Sequence, residues 1–291
     1  MTTAMKGNII LATAAATLLL TGCFHDNHDL QPGTVGFAPT LRWERAEDAG
    51  TPVHHVYLVV NGSGVSYTRE FTSVEAVSSE LQQLPEGDYE VLVTVNMSEA
   101  DGFQLEGLPP TKLFGFMVRA RILRLIAGYD VFSGVAPIRP GSATVQPINL
   151  GRALAKLSVN VNNVPADMHL TANVTNAAQT LDLTAVDDNG RQGRPSDEVD
   201  PGEIKCDNGG TINLMPTASG QEHSTITINK VGADGSVEGS FNVTGPVMQG
   251  GKAYNLNLDY NDLLPEMTVS SSAINDWTDA WTINGTVTDP E

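Results

Sequence analysis

The sequence predicts an all-β protein built from antiparallel β-sandwiches that follow an N-terminal leader. Short segments alternate apolar and polar residues with the two-residue period of a half-buried strand, and Gly, Pro, Asn and Asp separate these segments. No long helical periodicity is present after the leader. Short strands bounded by turn residues, without helices between them, are typical of sandwich folds.

The first element along the chain is the leader. Lys6 supplies a positive charge, and an apolar run covers Ile9–Leu20. This run is shorter than the roughly 20 apolar residues of a transmembrane helix and fits a secretory leader. Leu20-Thr21-Gly22-Cys23 looks like a bacterial lipoprotein signal. We therefore expect residues 1–22 to be a signal peptide and Cys23 to be acylated; an uncleaved anchor helix is the alternative.

Lipid on Cys23 would decide where the mature protein resides. Acyl chains bury in a bilayer with about 0.8 kcal/mol per CH₂, and stable anchoring takes more than one chain. Removing residues 1–22 removes Lys6 and no acid, so the net charge changes from −18 to −19. So acidic a chain is not expected to bind nucleic acid or to adsorb electrostatically to anionic lipid. Lipid alone would then hold it on the outer membrane, and the nearby Asp26 and Asp29 favour the cell surface.

The chain contains only two cysteines, Cys23 and Cys206. If Cys23 carries lipid, Cys206 has no disulfide partner. A catalytic cysteine needs a histidine base nearby, and no histidine is close to Cys206 in sequence. We expect Cys206 to be a structural residue at the edge of a strand.

The mature chain of 269 residues is long enough for two domains. We expect residues 23–36 to form the lipidated cysteine and a polar tether, residues 37–150 a first β-sandwich, and residues 151–291 a second. In the first half the strand candidates are 55–60, 89–95 and 143–148. The Phe116–Ile126 segment fits a strand or a short helix, with Arg119, Arg121 and Arg124 along one side.

Strand candidates of the second half show the clearest alternation. Leu157, Val159 and Val161 are separated by polar residues, and Leu170, Ala172 and Val174 repeat the pattern. Later candidates lie at 225–228, 240–243 and 254–260. The segment 187–203 is rich in Gly and acids, and we expect a mobile surface loop there.

The sequence contains no recognisable catalytic motif. A nucleophile elbow, a P-loop and a zinc-binding His-Glu-x-x-His helix are all missing. The loop at 187–203 could hold calcium through Asp187, Asn189, Asp197 and Glu198, but it lacks the regular ligand spacing of an EF-hand loop. We expect a solvated acidic loop instead. The prediction is a protein that is not an enzyme and that has no cofactor and no metal.

Trp277 and Trp281 are four residues apart, on the same side of a strand if the segment is extended. Aromatic rings in this arrangement could stack on a sugar, which would make the protein a glycan-binding surface lipoprotein. They could equally pack in the core or in a subunit interface, which we favour.

Several segments resemble the Bacteroidales fimbrillin and fimbrial-anchor families. The stretch from Arg152 to Pro165 resembles the start of their C-terminal domain. Leu84-Pro85-Glu86-Gly87-Asp88-Tyr89 resembles the strand entry of the anchor-like branch. Gly251–Leu258 is similar to their penultimate strand, and Ala273–Trp277 to their closing stretch.

This resemblance implies two transthyretin-like β-sandwich domains in a lipoprotein of type V fimbriae that is exported to the outer membrane and partners other fimbrial subunits. In this family, an arginine-specific protease removes an N-terminal strand from shaft subunits, and a strand of the next subunit fills the groove. Anchor subunits keep the lipidated N-terminus instead. We expect the anchor, while Arg42 and Arg45 are possible processing sites that keep a shaft or tip subunit as an alternative.

Overall fold

The computed structural model describes residues 33–109, 116–123, 130–142, 147–187, 192–200, 204–263, 272–275 and 280–283. Within them the chain forms twenty-one β-strands, one α-helix and two short 3-10 turns, Ala46–Gly50 and Tyr260–Leu263. In chain order these elements are β1 (Thr34–Phe37), β2 (Leu41–Trp43), β3 (Val56–Gly62), β4 (Val65–Phe71), α1 (Val74–Ser79), β5 (Gln82–Pro85), β6 (Tyr89–Val95), β7 (Phe103–Glu106), β8 (Arg119–Ile122), β9 (Phe132–Ile138), β10 (Ile148–Arg152), β11 (Ala155–Asn162), β12 (His169–Val174), β13 (Leu181–Val186), β14 (Gln192–Pro195), β15 (Ile204–Asp207), β16 (Thr211–Leu214), β17 (Ser224–Val231), β18 (Val237–Gly245), β19 (Ala253–Asp259), β20 (Ser272–Asn275) and β21 (Ala280–Ile283).

The strands associate into five sheets. The largest has six strands in the order β2-β10-β9-β6-β3-β4, and β1 pairs with β5 in a small sheet of its own. The others have the orders β16-β11-β19-β20-β21, β15-β12-β17-β18 and β14-β13-β8-β7. The pairs are antiparallel except for β2 with β10 and β11 with β19, which are parallel. The prediction of an all-β, antiparallel sandwich protein is confirmed.

Strand β6 is buried on both of its faces. Val91, Val93 and Val95 are fully buried in one hydrophobic cluster. Leu92, which points to the opposite face, is equally inaccessible and belongs to the second cluster. The six-stranded sheet therefore forms the middle of a layered structure, and β6 is not the half-buried strand that the alternation predicted.

One sheet combines strands from both sides of residue 150. β7 and β8 precede that position, whereas β13 and β14 follow it, and β8 pairs directly with β13 through Ala120 opposite Leu181. The second hydrophobic cluster is correspondingly shared, since it contains both Leu92 and Leu157. The division into units at 37–150 and 151–291 stays a prediction.

The structure corrects the predictions for two segments and decides between strand and helix for a third. β1 begins at Thr34, so the fold starts inside the segment expected to be a tether. Part of the expected loop at 187–203 is strand β14, which pairs with β13 and buries Gly193. Within Phe116–Ile126, residues 119–122 form a strand in which Arg119 and Arg121 flank the buried Ala120.

No helix among the described residues has the length and apolar character needed to span a membrane. Residues 1–32, which include the predicted leader and Cys23, lie outside the described part.

The two-sided burial of β6 gives a measurable expectation for Leu92. Leu92→Ala should lower the free energy of unfolding by about 2–5 kcal/mol, because it removes buried methyl groups and leaves a cavity. Urea denaturation monitored by circular dichroism would measure this loss. Glu90→Ala, at an exposed position on the same strand, is the matched control. A loss below about 0.5 kcal/mol for Leu92→Ala, the range of exposed sites, would contradict the buried placement.

Candidate functional site

The candidate site is the N-terminal segment, residues 34–50, which begins within the predicted tether of residues 23–36. Its first strand, β1, pairs antiparallel with β5. Phe37, at the end of β1, is 6% exposed and contributes to the hydrophobic cluster of the six-stranded sheet. The segment is thus part of the core from its first strand onward.

Strand β2 continues the segment along the edge of that sheet. It runs parallel to β10, with Arg42 opposite Asn149. The Glu44 N–H donates to the Leu150 carbonyl at 3.0 Å. The Trp43 ring meets the Phe132 ring edge-on, with centroids 4.9 Å apart. Arg42 itself is exposed, but the peptide bond that follows it lies within a paired strand.

Arg45 connects the segment to a distant part of the chain. Its Nη2 donates to the Gly251 carbonyl at 2.8 Å. The Arg45 backbone is extended and leads directly into the 3-10 turn Ala46–Gly50. A protease that recognises this arginine would first have to detach its side chain from Gly251.

A buried ion cluster fixes the end of the segment. Asp48 is inaccessible to solvent, and its Oδ1 accepts a hydrogen bond from Arg152 Nε at 2.8 Å. Arg152 Nη2 also lies 3.3 Å from Asp130 Oδ2. The same guanidinium is 5.9 Å from the centroid of the Phe132 ring. Because removing one member of a buried pair leaves the other charge uncompensated, this cluster should oppose detachment of the segment.

Sequence reasoning did not find this cluster. Asp48 and Arg152 are 104 positions apart, and nothing in the local pattern distinguishes Asp48 from the other acids of so acidic a chain. Arg152 appeared in the sequence analysis only as the start of a family-like stretch. The contact arises from the tertiary structure, because β10 delivers Arg152 beside the 3-10 turn.

The other predicted site residues are spread over the chain. Cys23 and Trp277 lie outside the described residues. Trp281 is in β21, opposite Ile274 of β20. The glycan-platform hypothesis for Trp277 and Trp281 stays a prediction.

Cys206 is the second of the two cysteines that the sequence analysis considered. It is a free thiol in β15 and is 4% exposed. Burial, with a contribution from Asp207, raises the pKa of this thiol. The thiolate fraction at neutral pH is therefore reduced, which disfavours a nucleophilic role.

The acidic segment 187–203 offers no assembled metal site in its described part. Asp187, Asp197 and Glu198 belong to that part, whereas Asn189 does not, and no three potential metal ligands cluster among the described residues. The Glu198 carbonyl accepts the Gln179 N–H at 2.8 Å. This end of the segment is thus held to the neighbouring structure by the backbone.

Comparison with known proteins identifies similar structures. No protein-family model matches the sequence, and the comparison with curated proteins finds no match. A candidate adhesin from Bacteroides ovatus is 14% identical with a TM-score of 0.55, covering 86% of this chain and 95% of that one. The fimbrial anchor protein Mfa2 from Porphyromonas gingivalis is 13% identical with a TM-score of 0.48, covering 87% and 99%. A fimbrial assembly protein from Parabacteroides distasonis is 12% identical with a TM-score of 0.45, covering 82% and 91%.

These similarities define the class of fold. At such identities a structural match shows the fold alone. Of these three matches, the Bacteroides ovatus protein has the TM-score that is high enough to support a shared fold. This chain has the fold of that Bacteroidales protein over most of its length. The resemblance to Bacteroidales surface proteins that the sequence predicted is confirmed at the level of fold.

The buried ion cluster predicts how the segment responds to a protease. Asp48→Asn removes one charge from the cluster. We expect the free energy of opening the segment to fall by about 1.5–3 kcal/mol, the range for hydrogen bonds to charged groups. When opening is faster than cleavage, the cleavage rate follows the open population. Cleavage after Arg42 or Arg45 by an arginine-specific protease should therefore accelerate roughly 10-fold to 100-fold. Mass spectrometry of the released fragments would measure the rates.

Glu47→Gln is the matched control for this experiment, since Glu47 is an exposed acid in the same 3-10 turn. We expect its cleavage rates to stay within about twofold of the unchanged protein, as is usual for exposed positions away from structural contacts. Equal rates for Asp48→Asn and Glu47→Gln would show that the cluster does not hold the segment.

Proposed function

We propose that this chain is a lipid-anchored structural subunit of a cell-surface fimbrium, and that it joins the shaft to the outer membrane. The observation that carries the proposal is the position of Cys23, a short tether before an N-terminal segment that is built into the fold. The acyl chains would supply the attachment to the membrane, and the sandwich would supply the attachment to other subunits. No step of this function requires catalysis.

The distance between lipid and fold supports an anchor. Nine residues lie between Cys23 and Gly33, the first described residue, which makes ten residue steps along the chain. A fully extended chain spans at most about 3.3–3.6 Å per residue, so this tether reaches about 35 Å at most. The sandwich would then stay close to the bilayer surface, as a subunit at the base of a fibre must.

The placement of the two candidate processing sites also supports a retained N-terminus. Arg42 lies within the paired strand β2, and the Arg45 side chain is engaged by the Gly251 carbonyl. Cleavage at either residue requires local opening of β2 and the 3-10 turn. The Asp48–Arg152 pair opposes this opening, which favours an anchor over a processed shaft or tip subunit.

The proposed partners are other fimbrial subunits. The sequence resemblance to fimbrial anchors motivates this choice, together with the fold shared with a candidate adhesin of Bacteroides ovatus. Nucleic acid is not a proposed partner, because a chain of net charge −18 lacks the basic surface that phosphate binding needs.

The lipid attachment is tested with the two cysteines of the chain. Cys23→Ser removes the acylated thiol, so the protein should leave the outer-membrane fraction and become soluble or secreted. Cys206→Ala is the matched control, since it removes the other thiol and should leave membrane partition unchanged. Immunoblots of washed membranes and of the culture medium would measure both. Retention of Cys23→Ser in the outer membrane would refute lipid anchoring.

The role in the fimbrium needs a separate measurement. Intact mass and N-terminal sequence of protein from its native membrane should show an acylated chain that starts at Cys23, and cross-linking should join it to a fimbrial subunit. An unlipidated chain that starts at Trp43 or Ala46 would instead identify a processed shaft or tip subunit. A lipidated chain that never cross-links to a fimbrial subunit, but binds glycan, would favour the surface glycan-binding alternative.

A further inference from the structure

A cleft on the far side of the six-stranded sheet from α1 is used by none of the interactions described so far. It has a volume of about 390 Å³ and lies between β3, the turn 98–102 and β7. Its walls include Tyr57, Phe103, Leu105, Leu108, Leu123 and Glu99. This volume falls within the range typical of ligand-binding clefts.

Backbone hydrogen bonds hold the cleft in shape. The Phe103 N–H donates to the Ser98 carbonyl at 3.0 Å, and the Leu123 N–H donates to the Gly102 carbonyl at 2.8 Å. The Asp101 carboxylate accepts the Ser98 N–H at 2.9 Å. The turn and the end of β8 are thus fixed to each other, which lowers the entropy that a ligand must remove on binding.

Several of the side chains that line the cleft are apolar and stand beside its polar groups. Leu123 is 50% exposed, and Tyr57, Leu105 and Leu108 are partly buried around it. A long aliphatic side chain at half exposure gains free energy when a partner covers it, because apolar area leaves water. The cleft therefore offers contacts for aliphatic groups.

The polar side of the cleft is acidic. Burial and the carboxylates of Glu70, Asp101 and Glu99 raise the pKa of the Tyr57 phenol, which places three negative charges around this ring. Asp101 is engaged with Ser98, and Glu70 faces His55 at 3.8 Å. Glu99 is exposed and forms no ion pair within the described part of the chain. The His55 ring packs against the Tyr57 ring with centroids 4.4 Å apart. A cation on the Glu99 side would meet the carboxylate and the part of the Tyr57 ring that His55 leaves uncovered, and both attract it.

The neighbouring strand favours an extended ligand. β7 is the outermost strand of its sheet, and within the described residues it pairs with β8 alone. Its residues Phe103, Gln104 and Leu105 line the cleft. An edge strand has main-chain groups that can pair with an extended peptide, whereas a small cation would leave them unused.

We propose that this cleft is a docking site for an extended segment of a partner chain that presents a lysine or arginine between aliphatic side chains. The cation is placed against Tyr57 and Glu99. The flanking aliphatic groups contact Leu105, Leu108 and Leu123. This inference does not depend on the proposed fimbrial role, because the cleft is separate from the N-terminal segment.

Three matched peptides test the proposal on the full chain by isothermal titration calorimetry. They are acetyl-Leu-Lys-Leu-amide and its analogues with norleucine or glutamate in the central position. The lysine peptide should bind about threefold to fivefold more tightly than the norleucine peptide, the range expected for one exposed charge contact. Arg121 is the register partner of Gln104, which lines the cleft, so the glutamate peptide tests the sign of the electrostatic preference. We expect it to bind most weakly.

Two variants locate the binding site. Glu99→Gln should abolish the preference for the lysine peptide over the norleucine peptide. The affinity for the norleucine peptide should stay within about twofold of its value in the unchanged protein. Leu123→Ser should weaken binding of all three peptides and leave the chain folded, because Leu123 is 50% exposed. Glu222→Gln, an exposed acid in the second half of the chain, is the matched control and should change nothing. Circular dichroism would verify the fold of each variant.

Three results would overturn the proposal. The first is tighter binding of the glutamate peptide. The second is a lysine preference that survives Glu99→Gln, which would place the cation elsewhere. The third is no binding of any peptide together with a lower melting temperature for Leu123→Ser, which would show that the chain itself fills the cleft.

Discussion

Strand β10 is the constraint on which the rest of this structure depends. It is the neighbour of β2 on one side and of β9 on the other, and its Ile148 and Leu150 are fully buried. It ends at Arg152, whose guanidinium lies between Asp48 and Asp130. Only two residues separate it from β11. One short strand thus connects the N-terminal segment, the first large sheet and the start of the second half.

Space next to β10 is correspondingly tight. A Cβ atom on Gly134, in the neighbouring β9, would lie 2.2 Å from the Asn149 carbonyl oxygen. Real contacts are never this short, so the close approach of β9 and β10 requires glycine at this position. Many glycines of the sequence lie in turns. Gly134 lies in the middle of a strand instead, where glycine is needed because a neighbouring backbone approaches closely. Close backbone packing is what allows β10 to deliver Arg152 into the ion cluster.

The sequence predicted those parts of the fold in which local pattern and tertiary environment agree. Strand β11 alternates apolar and polar residues, and the structure buries Leu157, Val159 and Val161 on one face as expected. Strand β14 was missed because its composition is that of a loop, and pairing with β13 alone makes it a strand. The second buried face of β6 was missed for a related reason. Periodicity reports the faces of one strand, whereas a second covering layer is a property of the whole fold.

The candidate site shows the same limit. Cys23, Arg42 and Arg45 are visible in the sequence because a short motif or a single residue type marks them. Asp48 and Arg152 are not recognisable in the sequence, since they become important only through a contact between residues 104 positions apart.

The outer faces of the second half explain how so acidic a chain can present broad sheets to solvent. Outward side chains on neighbouring strands satisfy one another, as in Thr227 with Asn242 at 2.8 Å and Ser240 with Asn229 at 2.7 Å. On the opposite sheet Ser158 and Thr211 lie 2.8 Å apart. The hydroxyl and amide groups of these pairs are uncharged, so no like charges oppose each other at these positions. Much of the acidity is carried outside these pairs, where repulsion between molecules opposes edge-to-edge association of strands such as β18.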